Sequence, residues 1–395
     1  MAVLALGAVG LAGALTVAAF AAPDRTRAVA AARLPSDPAE IIARVPPRDA
    51  AELAARRALA SAPDNVELAV DLARAELRRA RGSSDPRFLG RAQALLAPWW
   101  QLAAPPPDVL LLRATILQSL HDFRSARSDL DQLIALRPND AQAHLTRAVV
   151  ATVTGDYAAA RASCAEVARL ASALIAATCE APLDGLAGHA DTAYERLAQV
   201  LATARARPEL RGWAETALAE LAIQRGDSDA ALGHLRAIVA RDPDDAYARA
   251  ALADVLIATY HAAEASALLA GREQIDSALV RRAIAEHAIH GPDEARVVQA
   301  MRDRIAAAAE RGDRIHLREE ARFALEVEAD APRALRIARD NWAVQKELAD
   351  ARLFARAAVA ARDSEAAAPL VAWARATGVR DTELDRWLRQ LEVVR

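Results

Sequence analysis

The feature that most restricts this chain is a segment that occurs twice, 34 residues apart, between Pro107 and about Ser172. Leu112-Arg113-Ala114 returns as Thr146-Arg147-Ala148, His121-Asp122-Phe123 as Gly155-Asp156-Tyr157, and Ala126 as Ala160. Each copy reads as an apolar helical run, a short turn and a second helical run. Pro138-Asn139-Asp140 closes the first copy, because Pro cannot continue a helix and Asn or Asp can cap the next one. A unit of this length cannot bury its apolar face alone, so it needs neighbours stacked on it.

The neighbours are present. A degenerate third copy has its turn at Gly188-His189 and a small residue at Ala193. Register returns in a fourth with Trp213, Ala219, Gly226-Asp227, Ala231 and Asp242-Pro243, and in a fifth with Ala253, Tyr260 and Ala265. Small residues recur where the two helices of a hairpin touch, since a larger side chain would separate them. Leu130, Cys164, Leu197, Leu235 and Leu269 share one second-helix position and are expected in the core. Beyond Gly271 the spacing loosens, yet helical runs continue over 278–289, 293–310, 315–327, a partner reaching Gln345, 347–361, 365–376 and 381–391. Before the copies, 50–61, 65–81 and a run to Ala97 make an irregular first unit, with Trp99 and Trp100 placed to seal its edge. No stretch of four to eight residues alternates as a strand does. The expectation is an all-α solenoid of antiparallel helix hairpins.

Over residues 50–378 the chain resembles the tetratricopeptide repeat (TPR) family. The resemblance rests on Ala114, Ala148, Ala219 and Ala253 at the first-helix crossing and on Ala126, Ala160, Ala193, Ala231 and Ala265 at the second. Gly155-Asp156-Tyr157 and Gly226-Asp227 match the family's turn. Arg113 and Arg147 depart from it, standing where the family has an apolar residue, which puts local packing there in question. The resemblance implies a binding scaffold and names no ligand. More narrowly, Arg311-Gly312-Asp313, His316, Arg318-Glu319-Glu320-Ala321-Arg322-Phe323 and Asn341-Trp342 with Gln345 resemble a set of exported bacterial TPR proteins. Such proteins accompany nickel/cobalt permeases of the hydrogenase or urease accessory type, which makes envelope metal handling an alternative role.

The chain divides into an apolar segment at 1–22, a Pro-broken linker at 23–48, an irregular helical repeat at 49–106, regular repeats at 107–277, degenerate ones at 278–378 and a capping helix at 379–395. The apolar segment ends Ala19-Phe20-Ala21-Ala22-Pro23, which suits signal-peptide cleavage, although no Lys or Arg precedes it. It is also long enough to remain as an anchor. Export to the periplasm, or anchorage facing it, is the expectation, with the membrane touched only through 1–22. Net charge is −3 and spread along the chain, so nucleic-acid binding has no electrostatic footprint. Lys346 is the sole lysine, which reads as codon bias.

Catalytic and nucleotide motifs are absent: there is no His-Glu-x-x-His, phosphate-binding Gly loop or Gly-x-Ser-x-Gly. A non-enzyme without a cofactor is expected, and an enzyme acting on cell-wall glycan is the weaker rival. His121, His189 and His261 fall at turns two repeats apart, roughly 20 Å from one another for stacked helices. They cannot share one ion, whose ligands stand about 2 Å away. His287 and His290 share a face beside Glu286, but solvated surface histidines explain them as well. No metal site is assigned.

Cys164 and Cys179 flank the turn near Ala171–Ser172 at nearly equal offsets, so the hairpin sets them opposite one another. A disulfide follows if the protein is exported; two buried thiols are the alternative. For a partner, first helices line the concave face, which makes Trp213, Glu220, Tyr247 and Asp254 candidate contacts for a protein or peptide. Glu220 and Asp254 are 34 apart and would form an acidic stripe favouring Arg or Lys. A second polar cluster contains His316, Glu319, Glu320, Arg322, Asn341, Trp342 and Gln345, with Glu319 and Arg322 expected to pair. It reads either as a second peptide anchor at Trp342 or as an internal brace between repeats.

Overall fold

Helices and the turns between them make up the described residues, 50–83, 87–312 and 316–393 of a computed structural model. No strand occurs among them, and none of their helices is long and apolar enough to cross a membrane. The expected signal peptide or anchor and the linker lie outside these residues.

Residues 51–395 hold together as one unit. An irregular start comprises α1 (Ala50–Ser61), α2 (Val66–Ser83), α3 (Arg87–Leu95) and the one-turn α4 (Ala97–Trp100). Trp99 and Trp100 of α4 pack on a core shared by α2, α3 and the following helix. Five hairpins follow: α5 (Pro107–Ser119) with α6 (Phe123–Leu136), α7 (Ala141–Thr154) with α8 (Tyr157–Leu170), α9 (Ala173–Leu186) with α10 (Ala190–Thr203), α11 (Pro208–Arg225) with α12 (Ser228–Arg241), and α13 (Ala246–Ala258) with α14 (Ala262–Leu269). The looser part pairs α15 (Asp276–Ile289) with α16 (Glu294–Arg311), α17 (Leu317–Glu326) with α18 (Ala331–Val344), and α19 (Leu348–Ala361) with α20 (Ala368–Thr377), before α21 (Thr382–Val393).

Side-chain caps start many of these helices. Asp122, Asp156 and Asp227 each accept from the backbone N–H three residues on, as do Asp245 and Asp330. This satisfies one of the orphan donors at each helix start and stabilises it by about 1 kcal/mol. The crossing residues lie where the spacing placed them: Ala114, Ala219, Ala253, Ala126, Ala160, Ala231 and Ala265 are completely buried, and Leu130, Cys164, Leu197, Leu235 and Leu269 sit in the core. Arg113 does not disrupt its hairpin. Its guanidinium is buried against Asp129 of the facing helix, with Nε and Nη2 each 2.7 Å from a carboxylate oxygen, and Nη1 donates to the carbonyls of Trp100 and Leu102. Arg147 pairs with Asp131.

The winding brings distant units into contact. α2 of the first unit meets α13 of the fifth hairpin. The last helices meet the middle ones: Leu186 of α9 packs into the core built by α17–α21, and α21 touches α11 as well as α19. The helix expected within 379–395 is present as α21, and it touches the middle of the array as well as its last hairpin. α21 spans two turns of the winding.

Candidate interaction surface

First helices of the later hairpins face one another across this winding, and their polar residues meet there. Asp254 of α13 accepts from Arg281 of α15 and from Arg322 of α17, each at 2.7 Å, the second from 68 positions away. Burial alone would raise the Asp254 carboxyl, but the two guanidiniums outweigh it and hold it below the ordinary aspartate range. Arg322 also donates to Glu326 at 3.0 Å, and Glu326 meets Arg356 of α19. Arg318 grips Asp350 of α19 through Nε and Nη2, at 2.6 and 2.8 Å, and pairs with Glu347. Arg352 is bonded to Asp381, whose side chain is wholly buried and also caps α21.

Glu220 and Tyr247 behave differently from this matched set. The Tyr247 hydroxyl donates to the Glu220 carboxylate, linking α11 to α13. Among the described residues no guanidinium stands within ion-pairing distance of Glu220, whereas Asp254, Glu326, Asp350 and Asp381 each have one. Both side chains reach water, and Tyr247 is 57% exposed. The surrounding protein nonetheless crowds them. Desolvation raises the Glu220 carboxyl, the hydrogen bond from Tyr247 opposes that, and Glu347 adds to it. The negative charge of Glu220, then loss of solvent, pushes the Tyr247 phenol well up. An accessible carboxylate among polar side chains, held by a neutral donor and not by a cation, can accept an incoming cation.

The recurring hairpins and this inner arrangement agree with a direct family match. The tetratricopeptide repeat family matches residues 222–286, across α12 to α15. This chain carries tetratricopeptide repeats. No curated protein matches the chain. Among solved structures, the human IFIT1 dimer with PPP-AAAA is similar at 12% identity, covering 86% of each chain with a TM-score of 0.46. A tetratricopeptide repeat protein from Parabacteroides merdae is similar at 13% identity, over 78% of this chain and 91% of that one, TM-score 0.28. Yeast Tom70 is similar at 8% identity, over 84% and 95%, TM-score 0.24.

The TPR winding separates the expected contacts. Trp213 is half-buried on α11, seven positions before Glu220 and so on the same face. Glu220 and Tyr247 are joined, but Asp254 is not a free member of an acidic stripe, because two arginines already meet its charge. The second polar cluster divides too. Arg322 pairs with Asp254 and Glu326 and not with Glu319. Loss of solvent would raise the Glu319 carboxyl, but Arg318 and Arg281 outweigh it and hold it down. Glu320 pairs with Arg333, and His316 stands 3.7 Å from Asp276. Asn341 and Gln345 donate to Asp350, at 2.7 and 3.4 Å. Trp342 is 4% exposed, 5.0 Å from the Trp373 ring centroid, so no partner reaches it. That part is an internal brace.

The histidines stay apart. His121 lies on the turn after α5 and stacks on Phe123, while His189 and His261 occupy the N-cap positions of α10 and α14 without a side-chain cap bond. His287 and His290 meet Glu294, while Glu286 turns instead to Ser266 and the Asp293 N–H. Among the described residues no group of three or more His, Cys, Asp or Glu side chains is placed to hold one ion. Cys164 and Cys179 are joined by a disulfide between α8 and α9, with Cα atoms 5.7 Å apart.

Sequence reasoning did not assign Arg318, Glu347 and Arg352 to this surface, although their charges act on Glu220. They come from helices about 100 or more positions later, which no short-range spacing connects to α11.

Proposed function

We propose that this TPR protein is a non-catalytic, exported scaffold that holds a basic segment of a polypeptide on the inner face of its repeats. The observation that carries the reading is Glu220. It is accessible and hydrogen-bonded by Tyr247, yet it has no guanidinium partner in a neighbourhood where Asp254, Glu326, Asp350 and Asp381 have theirs. A Lys or Arg side chain of a partner would complete the pattern, and the Tyr247 and Trp213 rings offer amphipathic area beside it. Export rests on the apolar stretch before Ala22 and on a disulfide that an oxidising compartment sustains.

The test is an array of random 15-residue peptides probed with the wild type, Glu220→Gln and Tyr247→Phe. Peptides retained by the wild type should be enriched in Lys and Arg, and Glu220→Gln should weaken them by about tenfold, the loss of one partly buried charge-assisted bond. Retention should also fall on acidification sooner than for an ordinary glutamate, because the raised Glu220 carboxyl loses its charge at higher pH. Enrichment that survives Glu220→Gln undiminished would remove the reading.

A further inference from the structure

Among the described residues, eight turns between the first and second helices of a hairpin pass through a left-handed residue, but only three of these are glycine: Gly155, Gly188 and Gly226. Those three lie in consecutive hairpins, and the C-terminal part of the chain covers each of them. A Cβ on Gly155 would meet Lys346 Cδ at 3.0 Å, one on Gly188 the Gly378 carbonyl oxygen at 2.6 Å, and one on Gly226 the Thr382 Oγ1 at 2.9 Å. The equivalent positions in the flanking hairpins are His121 and Tyr260, both left-handed. Tyr260 is 97% exposed, so nothing rests on it.

We propose that residues 346–393 form a clasp that closes the winding over three consecutive turns, and that opening it admits a ligand to the inner face. The gating half rests on the inner-face reading above; the clasp does not. Its contacts with the helices that bear these turns are few and mostly polar. The Lys346 N–H donates to the Val153 carbonyl at 2.8 Å and its ammonium approaches the Thr154 carbonyl at 3.5 Å, so the chain's sole lysine sits at the negative end of α7. The buried Gln224 amide donates to two carbonyls, Gly185 at 2.9 Å and Arg380 at 2.7 Å, tying α9, α11 and the α20–α21 turn at one point. Trp373 donates to the Tyr157 hydroxyl at 2.8 Å across 216 positions, and Leu186 supplies the apolar contact. Such a seam, crossed by isolated hydrogen bonds, opens more readily than the continuous helix-on-helix cores on either side of it.

The same segment carries Glu347 and Arg352, charges that act on Glu220. α19 is therefore both a wall of the inner site and the base of the clasp, with Arg352 bonded to Asp381 holding α21 against it. Lifting α20 and α21 off the three turns would open the winding at this seam while α19 stays packed on α17 and α18.

The full chain, with its disulfide intact, is to be compared with Gln224→Ala and Gly188→Ala by circular dichroism, small-angle X-ray scattering and amide hydrogen exchange. The expected result is unchanged helicity, a larger radius of gyration, and exchange at least tenfold faster across 373–393, with 107–136 unchanged. A labelled deca-arginine peptide should then associate at least tenfold faster with the opened variants. Scattering and exchange like those of the wild type in both variants overturn the clasp, and so does loss of helicity along the whole array. Opening without a faster association overturns the gating. Opening with no deca-arginine binding to any of the proteins, wild type included, counts against the inner-face reading and leaves the clasp standing.

Discussion

The turns at Gly155, Gly188 and Gly226 and the turn at Tyr260 have the same backbone and opposite surroundings, while His121 shares that backbone with its side chain half-buried. All five residues are left-handed, with φ between 60° and 84°. Repeat geometry alone demands that conformation, since the first helix must end and reverse within two residues. It does not demand glycine, because His121 and Tyr260 adopt it at a cost of roughly 1–2 kcal/mol. Within the hairpins, glycine stands where another part of the chain lies on the turn, whereas Gly271, Gly312 and Gly378 follow second helices with no neighbour over them. What looks like one repeat signature is two requirements, one local and one tertiary, and only the covered turns meet both.

Gly188→Ala should break the comparison most severely. It adds the left-handed penalty to a clash with the Gly378 carbonyl, and that carbonyl cannot easily withdraw because Gly378 is itself the left-handed end of α20. A loss of about 3 kcal/mol is expected, the sum of the conformational and overpacking terms. Urea denaturation checks it. A loss near 1 kcal/mol would mean that the C-terminal segment moves aside freely and that the glycine is only a turn residue.

The covered block also contains the disulfide, between the hairpins that turn at Gly155 and Gly188. Its two cysteines are 15 positions apart, and closing a loop of that size stabilises by about 3 kcal/mol in the chain-entropy model. Replacing both cysteines with Ala should lower the urea midpoint accordingly and raise exchange first in α8 and α9. Equal exchange throughout would show that the staple acts on the array as a whole and does not set the covered block apart.

How much of this could be read from the sequence follows the range of the contacts. The hairpins and the buried alanines were legible because each depends on residues within one 34-residue period. Arg113 was read as a threat to packing because its compensation, Asp129, lies in the partner helix, where only the apolar positions had been weighed. Asp254 was assigned to a partner because its own arginines come from one and two repeats later. Lys346 was set aside as codon bias, although a sole lysine among so many arginines marks a position where a slender ammonium is used in place of a planar fork. Contacts across a superhelical turn leave no periodic trace. Glycine at three successive turns and not at the next was their one signal in this sequence.

Gly226→Ala sharpens the comparison at lower cost. The obstacle there is a side chain, Thr382, at the exposed start of α21, and it can rotate or shift where the Gly378 carbonyl cannot. The expected loss is about 2 kcal/mol, most of it the left-handed penalty. If Gly226→Ala costs as much as Gly188→Ala, Thr382 is held as firmly as a backbone atom and the α21 seam is tighter than its contacts suggest.

Tyr260→Gly is the smallest effect and the most direct test, because it asks the uncovered turn to become like the covered ones. Glycine relieves a left-handed residue of roughly 1–2 kcal/mol, but it also gives the unfolded chain more freedom, worth about 0.5–1 kcal/mol against the fold. The Tyr260 ring contributes little in return, since it is 97% exposed. The net expectation is a gain of about 0.5 kcal/mol, small but opposite in sign to every substitution at the glycines. Denaturation midpoints of the two proteins, measured side by side, give the sign. A clear loss on Tyr260→Gly would mean that the tyrosine is held at this turn by an interaction of its own, and the division between covered and open turns would then need a third class.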